Sequence, residues 1–407
     1  ATSRRESVER RWRSSELCFD IGKWSLYGMD VQIPGRARTP HELGANVSGC
    51  EQLFKVRSGG VATATASGVM TEETKIERDV EIESIAQGGE GMGRLSDGRV
   101  VFVSRALPGE RVDVRLIDEQ SNFARGEVVE RLEEAEERVD PECPHFDRCG
   151  GCQFWNAPYE RELAWKSRAA RESIERISGL EIPEPRVTPS PKTSHYRNRV
   201  RFHRRRVEGS EWEIGFFQPN SHDLVEVDDC PVALETVNRA RRQVEPGLRD
   251  VGDVDVLIET ASPDSAVVSV MPEEDARQDP PDSLLDFAGG LDDCDALRGV
   301  RFVNDDKEWV GGDATVDGAQ VLADSPIETI RLPAGMFRQA NPAVNRLLAD
   351  AVVEAVRQVG GRRVLELFCG VGNLTFPLAE AAEAVLGVEM DEVAVERGGT
   401  MADFDGH

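Results

Sequence analysis

The residues best able to do chemistry are the eight cysteines, and three of them crowd into Cys143-Pro-His-Phe-Asp-Arg-Cys149-Gly-Gly-Cys152. The Gly150-Gly151 pair lets the backbone fold tightly around whatever the sulfurs hold. Three thiolates make an incomplete site, because tetrahedral zinc and an iron–sulfur cluster each take four protein ligands. Cys230, in Asp228-Asp229-Cys230-Pro231, is the best-placed fourth. One inorganic centre would then tie residue 143 to residue 230. Cys18, Cys50 and Cys294 have no partner spacing and are assigned nothing.

A second chemical set lies between residues 363 and 389. Arg363 to Leu367 reads as an apolar strand, Gly370-Val371-Gly372-Asn373 as a glycine turn, and Ala384 to Val388 as a second strand followed by Glu389. Strand, glycine turn, helix, strand, acid is the opening of a doubly wound α/β nucleotide-binding fold. A dinucleotide fingerprint wants a third glycine where this chain has Thr375. S-adenosylmethionine carries no pyrophosphate and tolerates the shorter turn. An acid ending the second strand can accept hydrogen bonds from both ribose hydroxyls. Cys369, beside the turn, reads as a small apolar filler and is not nominated as a nucleophile.

A third set is cationic. Residues 192–206 hold seven Lys or Arg side chains and no acid, in a chain whose net charge is −26. Arg197, Arg199 and Arg201 alternate with Asn198, Val200 and Phe202, which predicts a strand with one cationic face. Guanidinium groups pair bidentately with phosphate, and Tyr196 or His203 could stack on bases, so contact with a polyanion is favoured over a strand neutralised by nearby acids. Arg204 is counted with the polyanion-facing set.

The elements that position these groups follow from patterning. From Thr71 to about Glu134, short alternating strands around Gly88-Gly89-Glu90-Gly91 predict a small antiparallel barrel of the OB type. A helix is expected from Tyr159 to Ile177, ending at Gly179. Further sheet is expected from 207 to 330, with an acidic loop over 272–295. An amphipathic helix is expected from Asn341 to Val359. The domains read as 71–134, 135–330 and 331–407, with 1–70 a disordered or spurious extension. The resulting class is a multidomain α/β protein.

Composition bounds the rest. No apolar run reaches the length of a membrane span and no signal peptide is visible, so the expectation is a soluble, cytoplasmic monomer in a reducing compartment. The acidity is spread along the chain and only six of its 49 basic residues are lysine. That pattern suits a protein kept soluble in concentrated salt, so local basic patches carry more information than the total.

Five separated motifs then agree with one family. Cys143-x5-Cys149-Gly-Gly-Cys152-Gln153, Tyr196-Arg197-Asn198-Arg199, Asp229-Cys230-Pro231, Phe337-Arg338-Gln339-Ala340-Asn341 and Leu367-Phe368-Cys369-Gly370-Val371-Gly372-Asn373 occur in its order. From about residue 76 to 400 the chain resembles the RNA uracil-C5 methyltransferases, specifically the iron–sulfur type that methylates 23S ribosomal RNA. Its leading barrel looks like the TRAM domain of that group, with Ala106 to Glu110 as a matching turn. The resemblance implies a [4Fe-4S] cluster on Cys143, Cys149, Cys152 and Cys230, with zinc as the competing reading. It also implies S-adenosylmethionine contacts from Gln339, Phe368, Gly370, Gly372, Asn373 and Glu389, and RNA contacts from Arg197, Arg199, Arg201 and Arg204. The fold implied is a TRAM barrel, a mixed α+β iron–sulfur domain and an incomplete Rossmann-like methyltransferase domain holding two of the usual strands. The family's nucleophilic cysteine and base fall beyond residue 407, so no catalytic residue is assigned and turnover by the 407-residue chain is not expected. Ribosomal RNA is favoured as substrate, with the transfer-RNA T-loop as the alternative. A cluster-bearing RNA-binding module without catalysis is the second function class.

Overall fold

A computed structural model describes residues 16–20, 75–207, 212–272, 279–304, 307–317 and 331–402. Of the predicted extension, only Glu16–Asp20 lies among these, as strand β1; the rest of residues 1–70 falls outside the described residues.

The first built-up element is a closed barrel. It is formed by β2 (Ile76–Ile85), β3 (Gly91–Arg94), β4 (Val100–Ser104), β5 (Arg111–Glu119) and β6 (Phe123–Glu133), in the order β2-β3-β4-β6-β5. The pairing of β4 with β6 is parallel, and β5 closes antiparallel onto β2. Closure follows from the alternation of inward Val80, Ile82, Val101, Val103, Val112 and Val114, all buried, with outward charge. Gly93 and Gly126 are required by close approach, since a Cβ on either would meet a neighbouring carbonyl oxygen within 2.4 Å and 2.8 Å respectively. The expected small barrel is therefore present, with one parallel pairing, β4 on β6, where an all-antiparallel barrel was expected.

Helix α1 (Tyr159–Ser178) follows and ends in Gly179, whose φ of 70° and N–H to the Glu175 carbonyl make a left-handed C-cap. Seven strands then form one mixed sheet: β7 (Arg199–Arg206), β8 (Trp212–Phe217), β9 (Leu224–Glu226), β10 (Val254–Thr260), β11 (Ala266–Pro272), β12 (Leu297–Asn304) and β13 (Lys307–Gly312). Their order is β13-β12-β11-β10-β7-β8-β9, with β7 and β10 central neighbours. Helix α2 (Glu235–Val244) covers one face with Val237, Ala240 and Val244, all fully buried. The acidic stretch expected as loop contains a short helix, α3 (Asp282–Gly289), because Leu284 finds a fully buried position beside the same core.

β14 (Thr315–Asp317) and β15 (Arg331–Pro333) pair as a small ribbon leading to α4 (Pro342–Gln358). Asn341 is the N-cap of α4, accepting from the Val344 N–H at 3.1 Å, with Pro342 at the first helical position. β16 (Arg363–Leu367), α5 (Thr375–Ala379), β17 (Ala384–Val388) and α6 (Glu392–Ala402) complete the described order. The parallel sheet here has three strands, β1-β17-β16, rather than the two expected, because β1 pairs along β17. All described residues belong to one compact unit. Among them no helix is long and apolar enough to cross a membrane.

Candidate functional site

The four predicted thiols come together. Cys143, Cys149, Cys152 and Cys230 line one cavity of about 270 Å³, with Trp155, Phe216 and Arg197 in its wall. Three arrive on the turn-rich loop between β6 and α1, and the fourth on the loop after β9. Asn238 on α2, fully buried, fixes the Cys230 turn by accepting from its N–H at 3.1 Å and donating to its carbonyl at 3.2 Å. Burial pushes the Cys152 thiol up to about 12, helped by Cys230 and Cys149 and opposed by Arg197. Burial likewise raises Cys149 and Cys230, although backbone N–H groups at Gly151, Val232 and Ala233 pull the other way. Among the described residues no three His, Cys, Asp or Glu side chains are arranged to hold a metal ion. The sulfurs thus surround a volume several times that of a water, whose share of the liquid is about 30 Å³.

The basic run forms β7 beside this cavity, and its alternation sorts the arginines. Arg201 is solvent-facing, its side chain 53% exposed and 3.5 Å from Asp255. Arg197 is exposed at the rim of the cavity. Arg199 is half-buried and donates to the carbonyls of Met336 (2.6 Å) and Gly335 (3.2 Å), so it ties the sheet to the segment before Gln339. Arg204 corrects the sequence reading. It falls on the even face with Val200 and Phe202, is 4% exposed, lies 4.2 Å over the Trp212 ring and donates to the Val251 and Gly252 carbonyls. Burial lowers its pKa to about 10. Its guanidinium is spent inside the protein, and Arg205 takes the outward position, next to Asp255 at 3.1 Å. The two expected stacking residues are also engaged: His203 stacks on Phe217 at 4.1 Å, and Tyr196 packs on the central core. Asp255, which the sequence did not single out, gathers Arg201, His203 and Arg205 on the adjoining strand.

At the carboxyl edge of the parallel sheet, the glycine turn and Glu389 meet. Glu389 accepts from the N–H groups of Gly370 (2.8 Å), Met390 (2.7 Å) and Asp391 (3.1 Å). Burial works against its charge, but these donors outweigh it and hold the carboxyl below its ordinary value. They occupy three of about four acceptor directions, so reaching both ribose hydroxyls requires the Gly370 contact to be given up. Phe368 stands at φ 60° and is 77% exposed, a strained backbone that presents its ring to solvent. Gln339 is exposed, on a segment whose Ala334 and Met336 pack with Val371 of the glycine turn and Phe376 of α5. Asn373 exchanges two amide hydrogen bonds with Asn345 of α4, at 2.8 and 2.9 Å, so its side chain anchors the turn. Cys369 is buried, and desolvation, reinforced by Glu366 and Glu389, pushes its thiol up to about 11. A thiol held neutral in the core supports the filler reading.

A TRAM domain matches residues 76–129, the barrel, and a tRNA (Uracil-5-)-methyltransferase model matches residues 315–401. The 23S rRNA (uracil(1939)-C(5))-methyltransferase RlmD of Pseudomonas putida is 31% identical over 84% of this chain and 75% of its own length. The chain belongs to the RNA uracil-C5 methyltransferase family. Other relatives are RlmD of Cronobacter sakazakii, 32% identical over 76% of this chain and 69% of its own, and an uncharacterized RNA methyltransferase of Thermosynechococcus vestitus, 31% identical over 81% and 76%. The crystal structure of the Pyrococcus abyssi tRNA (uracil-54, C5)-methyltransferase with S-adenosyl-L-homocysteine shares the fold, with a TM-score of 0.58 at 19% identity over 80% of this chain and 76% of that one. By family the chain is an S-adenosylmethionine-dependent RNA (uracil-5-)-methyltransferase, and its glycine turn lies at the carboxyl edge of the parallel sheet, the side on which doubly wound folds bind ligands. Sequence reasoning missed Asn238, Asn345 and Asp255, polar residues on other elements that carry no local motif.

Proposed function

We propose that this chain acts in S-adenosylmethionine-dependent C5-methylation of a uridine in 23S ribosomal RNA. The observation that supports it most is Glu389 fastened to the Gly370 N–H across the ends of β17 and β16, beside the exposed ring of Phe368. Gly370 and Gly372 let the backbone approach the cofactor, Glu389 takes a ribose hydroxyl, and Gln339 and Phe368 flank the adenosyl group. Asn373 acts through Asn345 as a positioning residue.

The proposed reaction is covalent. A cysteine thiolate adds to C6 of the uridine, and the enolate so formed attacks the sulfonium methyl through C5, releasing S-adenosylhomocysteine. A base then takes the C5 proton as the thiolate leaves, restoring the double bond. The target base must first leave its stack. Cys369 is not that thiolate, being buried and held as a thiol near neutral pH.

We read the thiol cavity as a [4Fe-4S] site held by Cys143, Cys149, Cys152 and Cys230. Four cysteines around one cavity of about 270 Å³ supply the four thiolates that a cluster takes, in a volume larger than a single zinc ion needs. Arg197 in the cavity wall offsets the negative charge of four thiolates. The group would lock the loop to the sheet, and no bond-making is assigned to it. RNA contact is assigned to Arg197 and Arg201, with Arg199 supporting the Gln339 segment.

Calorimetric titration of the 407-residue chain with S-adenosylmethionine tests the cofactor site: binding is expected for the parent and strongly weakened in Glu389→Ala. A parent chain that binds neither S-adenosylmethionine nor S-adenosylhomocysteine would sink the reading. A brown protein with iron and sulfide is expected, whereas a colourless one containing zinc would replace the cluster. Competition between a 23S fragment and a transfer-RNA T-arm decides the substrate, and preference for the T-arm would overturn the ribosomal assignment.

A further inference from the structure

The cysteine loop is held from both sides. On the sheet side, the Gly150 N–H donates to the Phe217 carbonyl at 2.9 Å, and a Cβ on Gly150 would stand 2.8 Å from that oxygen. On the barrel side, the Arg105 guanidinium donates to the Cys149 carbonyl at 3.1 Å and lies over the Phe146 ring. Arg105 follows β4 at φ 59°, and its own carbonyl accepts from Arg138 at 2.9 Å and from Asn156 at 3.0 Å. Asn156 is fully buried, and its carbonyl accepts from the Val139 N–H. Gly89, in the barrel turn, stands so close to the loop that a Cβ there would come 2.8 Å from Cβ of Gln153. The loop itself is turns without a helix or strand, so these contacts, its internal turns, the burial of Phe146 and the packing of Trp155 on the central core order it in place of a regular element.

We propose that this loop is a joint through which filling of the thiol cavity sets the barrel's position on the sheet, and with it the affinity for RNA. Arg105 and Asn156 are its positioning residues. The inference rests on the reading that the four thiols hold a cluster. Withdrawing the group they surround would leave a void whose cost rises with its volume, and the loop would move to relieve it. The Cys149 carbonyl would move with the loop, and Arg105 would lose its acceptor while remaining part-buried. The barrel, an OB-type fold with a TRAM match and so the second surface offered to a single strand, then holds no fixed relation to β7, which removes the gain of engaging one RNA with two linked surfaces. The thiols need not touch RNA for this to operate.

The test uses the full chain prepared without oxygen, and the same protein after ferricyanide and EDTA. Iron content, hydrogen exchange and affinity for a 23S fragment are read on each. Stripping is expected to raise exchange over residues 139–156 and at β4, and to weaken RNA binding by about tenfold or more. Arg105→Ala is expected to retain iron yet reproduce both changes. Gly89→Ala, which leaves the thiols and Arg105 alone, should act in the same direction and serves where Arg105→Ala does not fold. An iron-loaded variant that binds RNA and exchanges like the parent refutes the joint, as does stripping that leaves RNA affinity unchanged. A parent preparation that contains no iron refutes the cluster reading, and the coupling falls with it.

Discussion

Gly372 holds φ at +94°, and a Cβ there would meet the Phe376 ring at 2.5 Å, in a core where Phe376 is fully buried. Gly370 has φ +58° but open space around it. The two glycines therefore differ in what they protect. Gly370→Ala should cost only the left-handed backbone, about 1–2 kcal/mol. Gly372→Ala adds overpacking against Phe376, about 1–3 kcal/mol more. Urea unfolding of both variants checks the order, and equal losses would show that Phe376 moves aside freely. The arginines of β7 divide in the same way. Arg201→Ala should leave unfolding midpoints near the parent's and weaken RNA binding. Arg204→Ala should destabilise the protein by about 2 kcal/mol, because two carbonyls lose a buried charged donor. RNA affinity measured well below the unfolding transition should then be nearly the parent's for Arg204→Ala.

At the scale of the element, the β7 result explains what could be read in advance. The period of two was visible in residues 197–202 and, carried on by two, selects His203 and Arg205 as outward and Arg204 as inward. Counting charge without carrying the period forward put Arg204 on the wrong face. The barrel was legible because its strands bury a regular apolar alternation, whereas α1, α4 and β16 were legible from period alone, since Ile177, Leu348 and Leu365 on them stay exposed. The thiol set was legible from spacing within the loop, and Cys230 from Asp229-Cys230-Pro231, one of the motifs that carry the family resemblance. Partners such as Asn238, Asn345 and Asp255 were not, since their roles depend on which elements become neighbours. β1 was illegible for the same reason: pairing along β17 is decided across more than 360 residues of chain. The β7–β10 pair also predicts a pH response. Burial opposes ionisation of Asp255, but hydrogen bonds and charge from His203 and Arg205 prevail and hold it below its ordinary 3.8. Its contribution is complete above that value and fades as the pH falls through the lower folded one. Between pH 5 and pH 3 the parent should lose more stability in urea than Asp255→Asn does, and parallel losses would show that the carboxylate contributes nothing there.

For the whole molecule, the decisive quantity is a net charge of −26 on a protein whose family acts on RNA. Many barrel arginines are already committed: Arg99 to Asp97 and Glu119, Arg115 to Glu127, Arg125 to Glu90. On β7 and at the cavity rim, Arg197 and Arg201 are the arginines assigned to phosphate, Arg201 within 3.5 Å of Asp255. Two salt effects then oppose each other. Screening shortens the reach of the acidic field, to about 8 Å at physiological ionic strength, and eases the approach of a polyanion. Counterion release works the other way, weakening binding with a slope of about −0.7 in log K against log salt for each neutralised phosphate of a single strand. Two such contacts give a slope of only about −1.4, shallow enough for screening to dominate at the low end. RNA affinity should therefore rise from low KCl to a maximum and decline beyond it. On the declining limb, Arg201→Ala should flatten the slope by about 0.7. Fluorescence anisotropy with a labelled 23S fragment over a KCl series reads both features. A steep fall from the lowest salt upward would mean that a larger basic surface carries the RNA than β7 and the cavity rim provide.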